Sequence, residues 1–368
     1  MRLAFFALFL SCAARTLPPP VVIETPPHII TPTEVVTEAE LVQRGEGSLL
    51  RQRWADAKQA FETLLSAYPD GPNTARYLFD LALAYEGLEE REHARDRYLE
   101  VATRFAANPK ARLALMRAAT LQAYLEQWRP LGETAEAILR RGDLDDVDRI
   151  VALGARGLSR IELGDDMGAN RDVLDGLDLA ERKHFTSRDV LPVAAAQLRF
   201  ALGEIRRVRS ERITFDPLPE DFLTRLEQRA TGLMSAQEAY ADAVRSEDTH
   251  WATMAGYRVG EMYRALHHDL VAIPAPAQSK TDRQKQIFFA FMHVRYRVLL
   301  EKGLRQIEQT IALGERTNDR SAWVTRAREA KDEMVRVLES EKALIATFPF
   351  TEEEIREALK QLAKKVRR

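Results

Sequence analysis

Three positions recur along the first half of the chain at fixed separations. Gly45, Ala57 and Phe61 return 37 residues later as Ala82, Ala94 and Tyr98, keeping the separations of 12 and 4 and the order small, small, aromatic. Around them the apolar residues follow the 3.6-residue period of amphipathic helices, and no strand-like alternation competes with it. A unit of two short helices cannot bury its apolar face alone, so a tandem pattern of this kind predicts units that stack on one another. Small residues are needed where two antiparallel helices cross, because they let the backbones approach. An aromatic side chain one turn further on fills the space beside the crossing. Tyr68-Pro69 ends the second helix, since proline cannot continue the hydrogen-bond ladder and disfavours helix in the residue before it. Asp70-Gly71-Pro72 then makes the turn.

Carried forward, the spacing reaches Ala119, Leu131 and Ala135 and then, after one extra residue, Gly157, Ala169 and Val173. The fullest copy is "LFDLALAYEGLEEREHARDRYLEVATRF", with Leu81, Ala82, Tyr85, Ala94 and Tyr98. In these residues the chain resembles the tetratricopeptide repeat (TPR). The period exceeds the common one of about 34 residues and is similar to that of bacterial envelope lipoproteins of the family, whose Tyr-Pro turn Tyr68-Pro69 matches. The resemblance implies an all-α fold: an α-solenoid of TPR-like helix hairpins over 36–185, followed by a longer-helix C-terminal helical extension over 186–346. It also implies a concave face formed by the first helix of each pair and suited to a protein or peptide partner. In the second copy its groove positions fall on Arg76, Phe79, Asp80, Leu83 and Glu86.

Beyond residue 185 the signature fades and the periodic segments lengthen. Breaks at "TFDPLP" and "VAIPAPAQSK" predict long helices near 188–212, 219–247, 249–272, 282–315 and 319–346. Thr281 with Gln284, and Thr351 with Glu354, have the spacing of capping boxes. Ala255, Gly256 and Gly260 mark a further close crossing. Residues 347–368 read as an amphipathic helix with Ile355, Leu359, Leu362 and Val366 on one stripe, and its final "KKVRR" suits a helix C-terminus.

The chain holds one cysteine, Cys12, at the end of "LAFFALFLSC". Arg2, an apolar stretch and a small residue, Ser11, have the order of a secretory signal. Residues 1–12 resemble a bacterial lipoprotein signal, which implies diacylglyceryl attachment at Cys12. Phe9 and Leu10 depart from the usual residues before such a cysteine, and a cut after Ala14 or a misassigned start fits the same stretch. A lone cysteine cannot close an intramolecular disulfide, which favours lipidation in an exported chain. Residues 13–35, with Pro18, Pro19, Pro20, Pro26, Pro27 and Pro32, read as an extended linker. With Ala13 after the cysteine, the resemblance implies an outer-membrane lipoprotein facing the periplasm; a soluble periplasmic protein is the alternative.

Charge and motifs narrow the chemistry. Against 54 Lys plus Arg stand 56 Asp plus Glu, so no general field attracts nucleic acid. There is no phosphate loop, dinucleotide turn, HExxH pair or nucleophile elbow. His267, His268 and Asp269 are adjacent helical residues about 100° apart and do not converge on one ion. His293 sits on an apolar face and reads as structural, and the run Arg206, Arg207, Arg209 and Arg212, interleaved with Glu204 and Glu211, reads as a solvated face. No catalytic residue, cofactor or metal is expected. The function expected is an exported, lipid-anchored scaffold that binds protein partners in the cell envelope, not an enzyme. Two alternatives stay open: an accessory module recruiting or regulating peptidoglycan enzymes, and an enzyme with an unrecognised site in the C-terminal half.

Overall fold

The computed structural model describes residues 36–184, 192–246, 248–276, 279–351 and 353–357. Cys12, the linker 13–35 and the stripe residues Leu359, Leu362 and Val366 lie outside them. The elements among the described residues are helices, with no strand. Four short pairs come first: α1 (Glu38–Leu50) and α2 (Trp54–Ala67), α3 (Thr74–Gly87) and α4 (Arg91–Arg104), α5 (Lys110–Tyr124) and α6 (Trp128–Leu139), α7 (Asp146–Glu162) and α8 (Asp166–Arg182). Longer helices follow: α9 (Pro192–Glu211), α10 (Phe222–Val244), α11 (Thr249–Val271), α12 (Asp282–Thr317) and α13 (Ala322–Ala346).

Two layers alternate along the chain. Each odd helix touches the next odd helix, from α1 through to α13, and each even helix packs on the two odd helices that flank it in sequence. The crossings are where the small residues sit. Gly45 of α1 faces Phe61 of α2, and an added Cβ would stand 2.8 Å from that ring. Gly157 faces Val173 in the same register, with a Cβ 2.7 Å away. Ala82, Ala94 and Tyr98 are fully buried, as are Ala119, Leu131 and Ala135. The long helices cross in the same manner, Gly203 against Tyr240 and Gly260 against Ile307.

The turn inside each short hairpin repeats too. Gln52, Glu89, Glu126 and Gly164 adopt left-handed backbone, with φ of 56°, 61°, 57° and 90°. The following N–H reaches back over the helix end in every case: Arg53 to Ser48, Glu90 to Tyr85, Gln127 to Gln122 and Asp165 to Arg160, at 2.8–2.9 Å. This pattern satisfies carbonyls that a helix end leaves free. Asn318, with φ 53°, makes the corresponding turn between α12 and α13. Both expected capping boxes form. Thr281 caps α12, and Thr351 exchanges hydrogen bonds with Glu354.

Helix α5 divides the core. Ala114, Ala118 and Leu121 face a cluster formed by α1–α4, while Met116, Ala119 and Ala123 face a second cluster that continues to Trp323 of α13. The second cluster therefore joins residues of the short pairs, up to Ala180, with residues of the long helices, from Ala196 onward, and the long-helix half packs as a continuation of the array. The described residues form an all-α array of regularly spaced helix hairpins extended by longer helices.

Candidate functional site

A groove of about 790 Å³ opens across α1, α3 and α5. Its position follows from helical spacing: Arg76, Asp80 and Leu83 of α3 share one stripe and line it, with Glu86 one turn on, while Leu78, Leu81 and Tyr85 turn into the core. Four of the five positions expected at the groove line it. The fifth, Phe79, does not. It is buried, meets Tyr98 edge-on at 5.2 Å, and carries the Lys110 ammonium 4.4 Å above its ring. Phe79 supports the groove floor from beneath, because its place one step round α3 points toward α4.

The other walls come from neighbouring repeats. Glu46, Leu49 and Leu50 of α1 and Trp54 of α2 close one side, and Lys110 and Arg117 of α5 the other. A shift of 37 residues relates three of these six to the second-copy positions: Glu46 to Leu83, Leu49 to Glu86, and Arg117 to Asp80. Reading one repeat alone missed all six, and the period was the signal that could have found those three.

Charge in the groove is layered. Arg76 pairs with Glu46 and lies 3.8 Å from Asp80; Lys110 lies 3.9 Å from Asp80 on its other side. Arg117 donates to both oxygens of Glu86, at 2.9 and 3.1 Å. The cation side chains are 37–45% exposed, and Asp80 at 11% and Glu86 at 27% lie deeper than they do, whereas Glu46 at 36% is exposed beside Arg76. Burial raises the Asp80 carboxyl above its ordinary range, against the pull of Lys110 and Arg76. Beside the cations is an apolar rim. Leu50 is 87% exposed, and Trp54 packs flat on Gly87, where a Cβ would enter the indole.

Two buried polar clusters occur in the second half. Glu341 of α13 lies between His267 of α11 and His293 of α12, each imidazole nitrogen 2.9 Å from the same carboxylate oxygen. Burial opposes the Glu341 charge, but the two histidines hold its carboxyl down at about 2. His268 is exposed beside Asp269, which pairs with Arg229. Sequence spacing separated His267 from His293 and gave no sign of Glu341. Among the described residues no three metal-type ligands are placed to hold an ion.

The second cluster joins Glu162, Glu204, Arg207, Tyr240 and Arg258. It corrects the reading of the arginine run as a solvated face at Arg207, whereas Arg209 and Arg212 are exposed as that reading expects. Arg207 is largely buried on Glu204 and Glu211, Arg206 donates to the Ser235 carbonyl at 2.9 Å, and Arg209 and Arg212 both hold Asp166. The run ties α9 to α8 and α10.

No family model matches the chain, and no curated protein matches it. Among solved structures it is similar to the crystal structure of a tetratricopeptide repeat protein from Parabacteroides merdae, with 12% identity, a TM-score of 0.44, and coverage of 81% of this chain and 98% of that one.

Proposed function

We propose that the protein is a binding scaffold that holds a segment of a protein partner in the groove across α1, α3 and α5, without covalent chemistry. The observation that carries this reading is the layering of the groove: exposed Arg76, Lys110 and Arg117 above the deeper Asp80 and Glu86, with Glu46 at the edge beside Arg76, next to the apolar rim of Leu50, Trp54 and Leu83. A surface of this kind anchors an apolar side chain and orients carboxylates beside it. An extended segment suits a groove built from parallel helix stripes.

The place of action proposed is the bacterial cell envelope, with residues 1–12 as a lipoprotein signal, Cys12 as the acylated residue and 13–35 as the tether, the array facing the periplasm from the outer membrane. One acyl chain gives marginal membrane binding and several give firm binding, at about 0.8 kcal/mol per buried methylene. Cys12→Ser moves the mature protein from the membrane to the soluble fraction on this reading, and unchanged partition rules the anchor out.

A photo-cross-linker in place of Leu83 tests the groove in cells. Adducts are expected there, absent from a cross-linker at exposed Thr63 of α2, and reduced when Lys110→Glu and Arg117→Glu are introduced together with helicity unchanged. Equal adducts from both positions, or adducts indifferent to charge reversal, defeat the assignment.

A further inference from the structure

Glu162 sits at the end of α7, where α7, α9 and α11 meet. The charged groups around it come from each of the helices packed there. Helix α9 supplies Glu204, fully buried, together with Arg207 and Glu211. Helix α11 supplies Arg258, whose Nη2 is 3.5 Å from Glu162 and whose Nε is 3.0 Å from Glu204. Tyr240 of α10 donates its hydroxyl to Glu204 at 2.7 Å. Helix α8 contributes Asp172, which is spent on Arg156 and Arg160 of the preceding turns of α7.

The arrangement is unequal in charge. Three carboxyls face two guanidiniums, Arg207 and Arg258: Glu162 and Glu204 are largely closed to water, while Glu211, a third exposed, takes one nitrogen of Arg207 from the solvent side. Two like charges sharing such a site favour retention of one proton. Which carboxyl keeps it follows from the hydrogen bonds. Burial works against ionised Glu204, yet Arg258, Arg207 and Tyr240 hold it below the usual range. Glu162 pairs, of the two guanidiniums, with the outer nitrogen of Arg258 at 3.5 Å, and its side chain is within hydrogen-bonding reach of Glu204, a contact that needs a proton on one of the two carboxyls. We propose that Glu162 is a proton-operated latch, which in its neutral form closes α7 on α9 and in its ionised form repels Glu204 and loosens that junction.

Burial first, and the charge of Glu204 second, push the Glu162 carboxyl up to about 7. A group raised in the folded state stabilises it fully below the unfolded value of 4.5, and that contribution is lost as pH rises through about 7. The latch is therefore closed in mild acid and open in mild alkali.

The test uses the full chain with two readouts. Thermal unfolding between about pH 5.5 and 8.5 is expected to show stability falling with pH, with the folded-to-unfolded ratio dropping about tenfold or more. Glu162→Gln, which fixes the neutral form, is expected to remove most of that slope. Infrared pH-difference spectra of the native protein are expected to show a protonated carboxyl in the acid form that is absent in the alkaline form. An unchanged slope in Glu162→Gln, or no protonated carboxyl in the native spectrum at about pH 5.5, overturns the proposal. Because burial raises the Asp80 carboxyl as well, the spectrum is repeated in Asp80→Asn, where the band persists if it belongs to Glu162 and its loss overturns the assignment, so the matter is decided even if Glu162→Gln does not fold.

Discussion

The Tyr124 hydroxyl donates to the Asp248 carboxylate at 2.7 Å, joining the end of α5 to the residue that caps α11. The Tyr124 ring also lies 3.9 Å from that of His250 and meets Trp251 edge-on. His250 is buried with neither ring nitrogen bonded, and burial, with Arg91, pushes it down to about 3, so it stays neutral. A second tie joins the same regions, Arg326 of α13 to Glu126 in the α5–α6 turn at 2.6 Å. These contacts hold the long helices against the short repeats in addition to the stacking of successive odd helices.

Removing the first tie has a defined cost. Tyr124→Phe keeps the ring packing and deletes one hydrogen bond to a charged acceptor, a loss of about 1.5–3 kcal/mol. Arg326→Met, which opens a half-exposed pair, loses less than about 1 kcal/mol. Urea unfolding of the two variants checks the order, and equal losses count against the account of Tyr124.

The crossing glycines make a separate prediction. Gly45→Val drives methyl groups into the face of Phe61, where even a Cβ stands 2.8 Å from the ring. Overpacking of this kind costs about 1–3 kcal/mol. Gly142→Ala is the control, because nothing lies within 4 Å of its added carbon. Thermal denaturation followed by circular dichroism separates a shifted first variant from an unshifted second.

The hairpin turns offer stabilisation instead. Gln52 and Glu89 are exposed and hold positive φ, a conformation in which a side chain meets its own backbone. Glycine removes that strain, so Gln52→Gly and Glu89→Gly are each expected to raise stability by about 0.5–1 kcal/mol, and Gly164→Ala, at φ 90°, to lower it by about 1 kcal/mol. Unchanged or lower melting temperatures for the two glycine variants go against the turn assignment.

Those turns also show where the sequence was legible and where it was not. Their spacing of 37, 37 and 38 residues is the period read from Gly45, Ala82, Ala119 and Gly157, including the extra residue before the fourth unit. The period was visible because close helix crossings tolerate few side chains. The turns were not, since three of the four positions carry Gln or Glu and the conformation is set by the helices on either side. The groove was half legible for the same reason. Stripe residues on α3 follow from helical geometry, whereas Trp54 and Lys110 reach it from other helices at separations fixed only by packing. Phe79 was misplaced because one residue of helical rotation separates the groove from the core. Glu341 and the Glu162–Glu204 pair left no local mark at all, being brought together across 48 and 42 residues.

Glu341 gives the acid limb of stability. Its carboxyl, held at about 2 by His267 and His293 against the effect of burial, is depressed from an unfolded value of 4.5. A depressed group contributes stability above the unfolded value and loses it as pH falls through the folded one, so the window here runs from about pH 4.5 down to about pH 2. Glu341→Gln is expected to cost on the order of 2 kcal/mol near neutrality, because the buried imidazoles lose their charged partner. The gap from the native protein should close across the acid window. Because the Glu162 contribution is lost on the alkaline side and the Glu341 contribution on the acid side, the two variants should flatten opposite limbs of the curve of stability against pH. Melting curves collected at intervals across both windows check this, and flattening of the same limb by both substitutions would show that the two clusters are not the separate titrating units described.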